Sequence, residues 1–211
     1  MGLRTAGFGL AAIVLATLVS CSARQPIVGQ ETTELDRKFS TFAWIEQGDL
    51  VTFIVDTHAA RYRDNSAFIP IEIAVANTGV KTLVLTRESF ALIDEQGNRY
   101  PAAAPRELIE GYDFLDLDRD QLAELEGLVG SKFAAYTRYN SKFSPTRSSD
   151  MDLVPGGTKT VRDMVSLPRF GYILDYLYFP KPTTGIKGHR FELFLESQSL
   201  PQPVFVKFKV E

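Results

Sequence analysis

Asp116-Leu117-Asp118-Arg119-Asp120 puts three carboxylates at alternate positions, the spacing with which a loop wraps a calcium ion. A hand-type calcium loop also needs glycine at its sixth position and a bidentate glutamate at its twelfth, where this chain has Gln121 and Gly127. Asp116 or Asp118 can instead cap a helix, since carboxylates favour the positive end of the helix dipole. That reading needs no metal. His58 and His189 lie in separate segments and neither belongs to an HExxH pair, so zinc hydrolysis lacks its ligands. No serine occupies a G-x-S-x-G elbow. Cys21 is the single cysteine, which excludes an intramolecular disulfide and a cysteine-based zinc site. The expectation is a chain that is not an enzyme, with no catalytic residues, metal or cofactor.

Contact chemistry is better represented. Lys132, Arg138, Lys142 and Arg147 interleave with Phe133, Tyr136, Tyr139 and Phe143, and cations beside rings can grip an anionic glycan, a lipid headgroup or a protein. The same rings also suit packing of a helix against a body. A second aromatic run holds Phe170, Tyr172, Tyr176, Tyr178 and Phe179, more rings than one strand is expected to bury, so part of it should form a contact surface. The candidate partner-contact residues are Phe133, Tyr136, Arg138, Tyr139, Tyr172, Tyr176 and Tyr178.

The elements that must position these residues are mostly strands. Ile69, Ile71, Ile73 and Val75 alternate with Phe68, Glu72, Ala74 and Ala76, which predicts a strand with one buried face. Asn77-Thr78-Gly79 ends it. Residues 81–86 and 89–94 repeat the extended pattern, and Gly97 is placed to take the positive φ of a tight turn. Earlier, Phe42 and Trp44 mark a strand over 39–46. Val51, Phe53 and Val55 alternate with Leu50, Thr52 and Ile54, so that strand should be covered on both faces. Residues 106–112 suit a short helix. Leu122, Leu125, Val129, Phe133, Tyr136, Tyr139 and Phe143 recur at helical steps, with Gly127 and Gly130 allowing a bend. A turn at Leu153-Val154-Pro155-Gly156-Gly157 precedes an extended run over 158–167. Residues 169–182 read as irregular, and strands close the chain at 188–196 and 204–210, where Val204, Val206, Phe208 and Val210 alternate with lysines. Seven or eight strands with one helical insertion at about 103–145 predict a mainly β domain over 39–211, an antiparallel β-sandwich.

The amino terminus follows different rules. An apolar run over 8–19 behind Arg4 is too short for a permanent membrane helix and reads as a signal peptide over 1–20. Leu18-Val19-Ser20-Cys21 closes that run and resembles the bacterial lipobox, which implies cleavage after Ser20 and lipidation of Cys21. Ser22 is not the aspartate that marks inner-membrane retention, so the resemblance implies the outer membrane if the cell is Gram-negative. Polar residues 22–38 suit a flexible tether.

Within the body, Ile71-x-Ile73-x-Val75-x-Asn77-x-Gly79, Phe90-x-Leu92-x-Asp94-x-x-Gly97-x-x-Tyr100 and Val154-Pro155-Gly156 resemble the immunoglobulin-like domains of bacterial envelope lipoproteins. The resemblance spans roughly residues 50–101 and 151–211. It implies an accessory module that binds an envelope protein or glycan; a small-molecule or glycan pocket between insertion and sheet is the alternative. A net charge of −3 over 211 residues is not the overall basic balance that nucleic acid would want, so no nucleic-acid partner is expected, while a local basic patch stays open.

Overall fold

A computed structural model describes residues 42–118, 120 and 164–211, together with the backbone of residues 34–35 and 146–147. The chain is mainly β. In order it forms β1 (Glu34–Leu35), β2 (Ala43–Gln47), β3 (Val51–Asp56), β4 (Phe68–Asn77), β5 (Thr82–Thr86), β6 (Phe90–Asp94) and β7 (Arg99–Pro101). A short helix α1 (Pro105–Gly111) follows, then β8 (Thr146–Arg147), β9 (Met164–Pro168), β10 (Gly171–Pro180), β11 (Arg190–Leu195) and β12 (Val204–Lys209). One sheet runs β1-β2-β3-β4-β10-β8, a second runs β12-β11-β6-β7, and β5 pairs with β9 in a ribbon. All these pairings are antiparallel except the short contact of β8 with β10.

The inward faces of the sheets share one core. Phe53, Ile71, Val75 and Leu177 come from the first sheet, Phe90, Leu193 and Phe208 from the second, and Leu85 and Leu167 from the ribbon. Removing a ring or branched chain of this size from water stabilises the fold by about 1.5–3 kcal/mol each. Chain ends and turns are fixed by polar side chains. Asp94, at the end of β6, accepts hydrogen bonds from the backbone N–H of Gln96 (3.0 Å) and Asn98 (2.8 Å), from Asn98 Nδ2 (2.8 Å) and from the Tyr100 hydroxyl (2.8 Å). Gly97 takes φ 84° inside this turn, as its place in the sequence predicts.

Two expectations need correction. Residues 169–182 are not irregular: β10 pairs with β4 continuously from Tyr172 opposite Ala76 to Pro180 opposite Phe68. Its two faces enter different apolar clusters, Ile173, Leu177 and Phe179 in one and tyrosines in the others, so alternation between aliphatic and aromatic hid the period. Nor does β4 have one solvated face. Glu72, Ala74 and Ala76 are buried like the isoleucines on the other face, because Tyr172, Tyr176 and the segment around α1 pack on that side. The strand predicted over 39–46 is described from Ala43 to Gln47, and the polar stretch after β3 makes a 3-10 turn at Ala59–Tyr62. The helical stripe from Leu122 to Phe143, Gly127 and Gly130, the Leu153–Gly157 turn and the tether over 22–38 lie outside the described residues, except that Glu34–Leu35 of the tether pairs with β2 as β1. Among the described residues no helix is long and apolar enough to cross a membrane.

Candidate functional site

The densest chemistry lies on the outer face of the first sheet, where β4 carries Glu72. Strand pairing fixes its neighbours: Asp56 on β3 is directly opposite Glu72 on one side, and Tyr176 on β10 is directly opposite on the other. Directly opposed side chains on neighbouring strands have Cβ atoms about 4.5–5.5 Å apart. A second tier covers this row. The Ala103 N–H donates to the Tyr178 carbonyl at 2.7 Å, tying the approach to α1 onto β10. Pro105 opens α1, and Glu107 reaches back to accept the Ala104 N–H at 2.6 Å, one half of a capping box. Leu108 and Tyr112 then point down to pack with Ala59, Tyr176 and Tyr178.

The chain turns after Tyr112 and brings Asp118 back over the same patch. Asp118 is 0% exposed, and both its oxygens are occupied. Oδ1 accepts from Arg63 Nη2 at 2.8 Å; Oδ2 accepts from the Tyr112 hydroxyl at 2.5 Å and the Tyr178 hydroxyl at 3.3 Å. Arg63 Nε donates to Tyr112 at 3.2 Å, and its guanidinium lies over the Phe114 ring, 4.3 Å from the centroid. Burial, followed by the Asp118 carboxylate, pushes the Tyr112 hydroxyl far above the usual tyrosine range. Burial does the same to Tyr176, with the charges of Glu72, Asp118 and Asp56 adding to it. Each of these phenols therefore stays a neutral donor.

Glu72 behaves differently. Burial, then the neighbouring Asp56 charge, pushes its carboxyl up to about 8, against the hydrogen bond from Tyr176 that favours the ionised form. Asp56 accepts the His58 backbone N–H at 2.7 Å. Perturbed acids concentrate at functional sites, although ion networks that hold a fold produce them too. Here Arg63, Tyr112, Asp118 and Tyr178 form a closed structural network that presents no open nucleophile.

Asp116 and Asp120 are exposed while Asp118 turns inward, so the alternating carboxylates do not converge. Among the described residues no group of three or more His, Cys, Asp or Glu side chains could hold a metal ion. Asp118 lies within a helical turn, its N–H donating to the Phe114 carbonyl at 2.9 Å, and its side chain binds Arg63 instead of capping a helix. His58 stacks on Phe42 and meets the edge of Tyr62, whereas His189 faces Glu95 at 3.6 Å. Tyr172, Tyr176 and Tyr178 are buried rather than offered as a contact surface, because both faces of β10 are covered. Cys21, Lys132, Phe133, Tyr136, Arg138, Tyr139, Lys142 and Phe143, and the Arg147 side chain, lie outside the described residues.

A groove of about 460 Å³ is lined by residues that include Thr86, Glu88 and Gln198. Its serines are committed: Ser199 Oγ accepts the Val84 N–H at 3.2 Å and Ser197 Oγ donates to the Val84 carbonyl at 2.7 Å, closing the edge of β5. Sequence reasoning missed Asp56, Glu72, Arg63 and Tyr112. One signal was present, since Glu72 is the lone charge inside the long apolar run of β4. Compared with family models, curated proteins and solved structures, the chain matches none.

Proposed function

We propose that this protein is a non-catalytic envelope lipoprotein, tethered through a lipid on Cys21, whose β body is an immunoglobulin-like antiparallel sandwich that binds another envelope protein or glycan. The lipobox-like run Leu18-Val19-Ser20-Cys21 supports the anchor, and the several antiparallel sheets around one core support the body. One observation carries the non-catalytic part: Asp118, the most buried acid among the described residues, has both oxygens saturated by Arg63, Tyr112 and Tyr178. A catalytic carboxylate needs an oxygen free for substrate or water. A small-molecule pocket would need space among the rings, whereas Tyr112 and Tyr178 stand edge-on at 5.0 Å between centroids. Contact then falls to exposed residues and to the Phe133, Tyr136, Arg138 and Tyr139 stripe.

Crosslinking in intact membranes tests the contact. Wild type is expected to give a discrete adduct, and replacing Phe133, Tyr136, Arg138 and Tyr139 by alanine is expected to reduce it at least tenfold, the loss of about 1.4 kcal/mol of binding. An undiminished adduct in the folded variant contradicts the assignment of the stripe.

A further inference from the structure

We infer that Glu72 is a proton-operated latch: while its carboxyl is protonated the segment from Ala103 to Asp118 stays seated on the outer face of the sheet, and ionisation loosens that segment while the strands beneath it stay paired.

The argument starts from the charges that meet on this face. β3 contributes Asp56 and β4 contributes Glu72, opposite each other. β10 contributes the hydroxyls of Tyr176 and Tyr178, with Asp175 on the other face of that strand, its Oδ1 accepting the Tyr176 N–H at 2.7 Å. The covering segment contributes Tyr112 and Asp118, and the residue after the 3-10 turn contributes Arg63. His58 gives its backbone N–H to Asp56, while its ring packs outward between Phe42 and Tyr62. Arg63 is the cation in this set, and it is spent on Asp118 at 2.8 Å. Two buried carboxylates on opposed strand positions then face each other without a cation between them, and such a pair holds one proton. Asp56 Oδ1 is already occupied by the His58 backbone N–H, so the shared proton is placed on Glu72. The upward shift of the Glu72 carboxyl agrees with this placement.

Ionised Glu72 regains water most cheaply where the cover is held by the fewest bonds. β4 is bonded along both edges, to β3 and to β10. Among the described residues the cover is held by the Ala103 N–H on Tyr178, the side chains of Leu108 and Tyr112, the Phe114 ring under Arg63 and the Asp118 cluster, without a strand ladder, which makes it the weaker partner. In a loosened state Glu72 has the ordinary carboxylate range, so the seated state gains on the open one at low pH and loses as pH rises through its own, higher value. Above that value the balance stops changing.

Amide hydrogen exchange on the full chain tests the latch, with rates corrected for intrinsic exchange. Protection of the Ala103, Leu108, Tyr112 and Asp118 amides is expected to fall by up to about tenfold per pH unit between about pH 5 and 8, then level. Ladder amides such as Ile73 and Leu177 are expected to change much less. Glu72→Gln should flatten the profile. Asp56→Asn removes the opposing charge and should move the levelling point to lower pH, a reading that stands even if Glu72→Gln does not fold. A pH-independent cover in wild type, an unchanged profile in Glu72→Gln or in Asp56→Asn, or cover and ladder losing protection together would overturn the inference.

Discussion

At the scale of single residues, buried polar atoms in this protein are stabilising in proportion to how completely their partners use them. Asp118→Ala leaves the Arg63 guanidinium and the Tyr112 hydroxyl buried without their acceptor, so we expect a loss of about 3 kcal/mol in urea unfolding. Replacing Arg63 and Asp118 together by apolar residues of similar size should cost less than Asp118→Ala alone. Asp94 gives a pH dependence of known sign. Burial alone would raise its pKa, but hydrogen bonds from Asn98, Tyr100 and Gln96 outweigh burial and hold it below the usual aspartate range. A folded-state value below the unfolded one stabilises above the unfolded value and is lost as pH falls through the folded one. Wild type should therefore exceed Asp94→Asn by roughly 2 kcal/mol at neutral pH, and the gap should shrink in acid below about pH 4. Residues such as Asp94 were legible as turn formers, since Gly97 and the following strand announce the hairpin. Asp118 was not: its partners Arg63, Tyr112 and Tyr178 are separated along the chain and meet only through tertiary packing.

At the scale of elements, the joints between strands are as constrained as the strands. Asn77 ends β4, and its Nδ2 donates to the Leu167 carbonyl at 3.0 Å while its Oδ1 accepts the Val80 N–H at 3.0 Å. Two residues on, a Cβ at Gly79 would lie 2.6 Å from the Asp49 carbonyl oxygen and 3.0 Å from Leu50 Cα. Backbone cannot yield as a side-chain tip can, so Gly79→Ala should destabilise by about 1–3 kcal/mol, measured as a lower denaturation midpoint with an unchanged slope. The sequence marked this joint as a break in alternation without revealing the close approach of β2–β3 hairpin backbone that requires glycine. Strand existence was readable wherever period two survived, as in β3, β11 and β12. It failed at β10, where Tyr172, Tyr176 and Tyr178 are as apolar in packing as Ile173, Leu177 and Phe179 opposite them.

At the scale of the whole molecule, the proposed role divides the chain into an address and a body. The body has a continuous core shared by its sheets, with its strongest polar network sealed beneath α1 and the Asp118 turn. On the proposed reading, this body displays its exposed residues to a partner. The proposed address rests on the lipobox-like residues 18–21 alone, a motif resemblance to which the fold adds nothing, because cleavage and acylation would depend on enzymes that read sequence. The decisive measurement is metabolic labelling with palmitate combined with membrane fractionation of wild type and Cys21→Ser. Label on wild type in the membrane fraction, with an unlabelled variant released from the membrane, is the predicted result. Wild type that takes up no label, or a Cys21→Ser variant that stays equally labelled and membrane-bound, would contradict the anchored-module account.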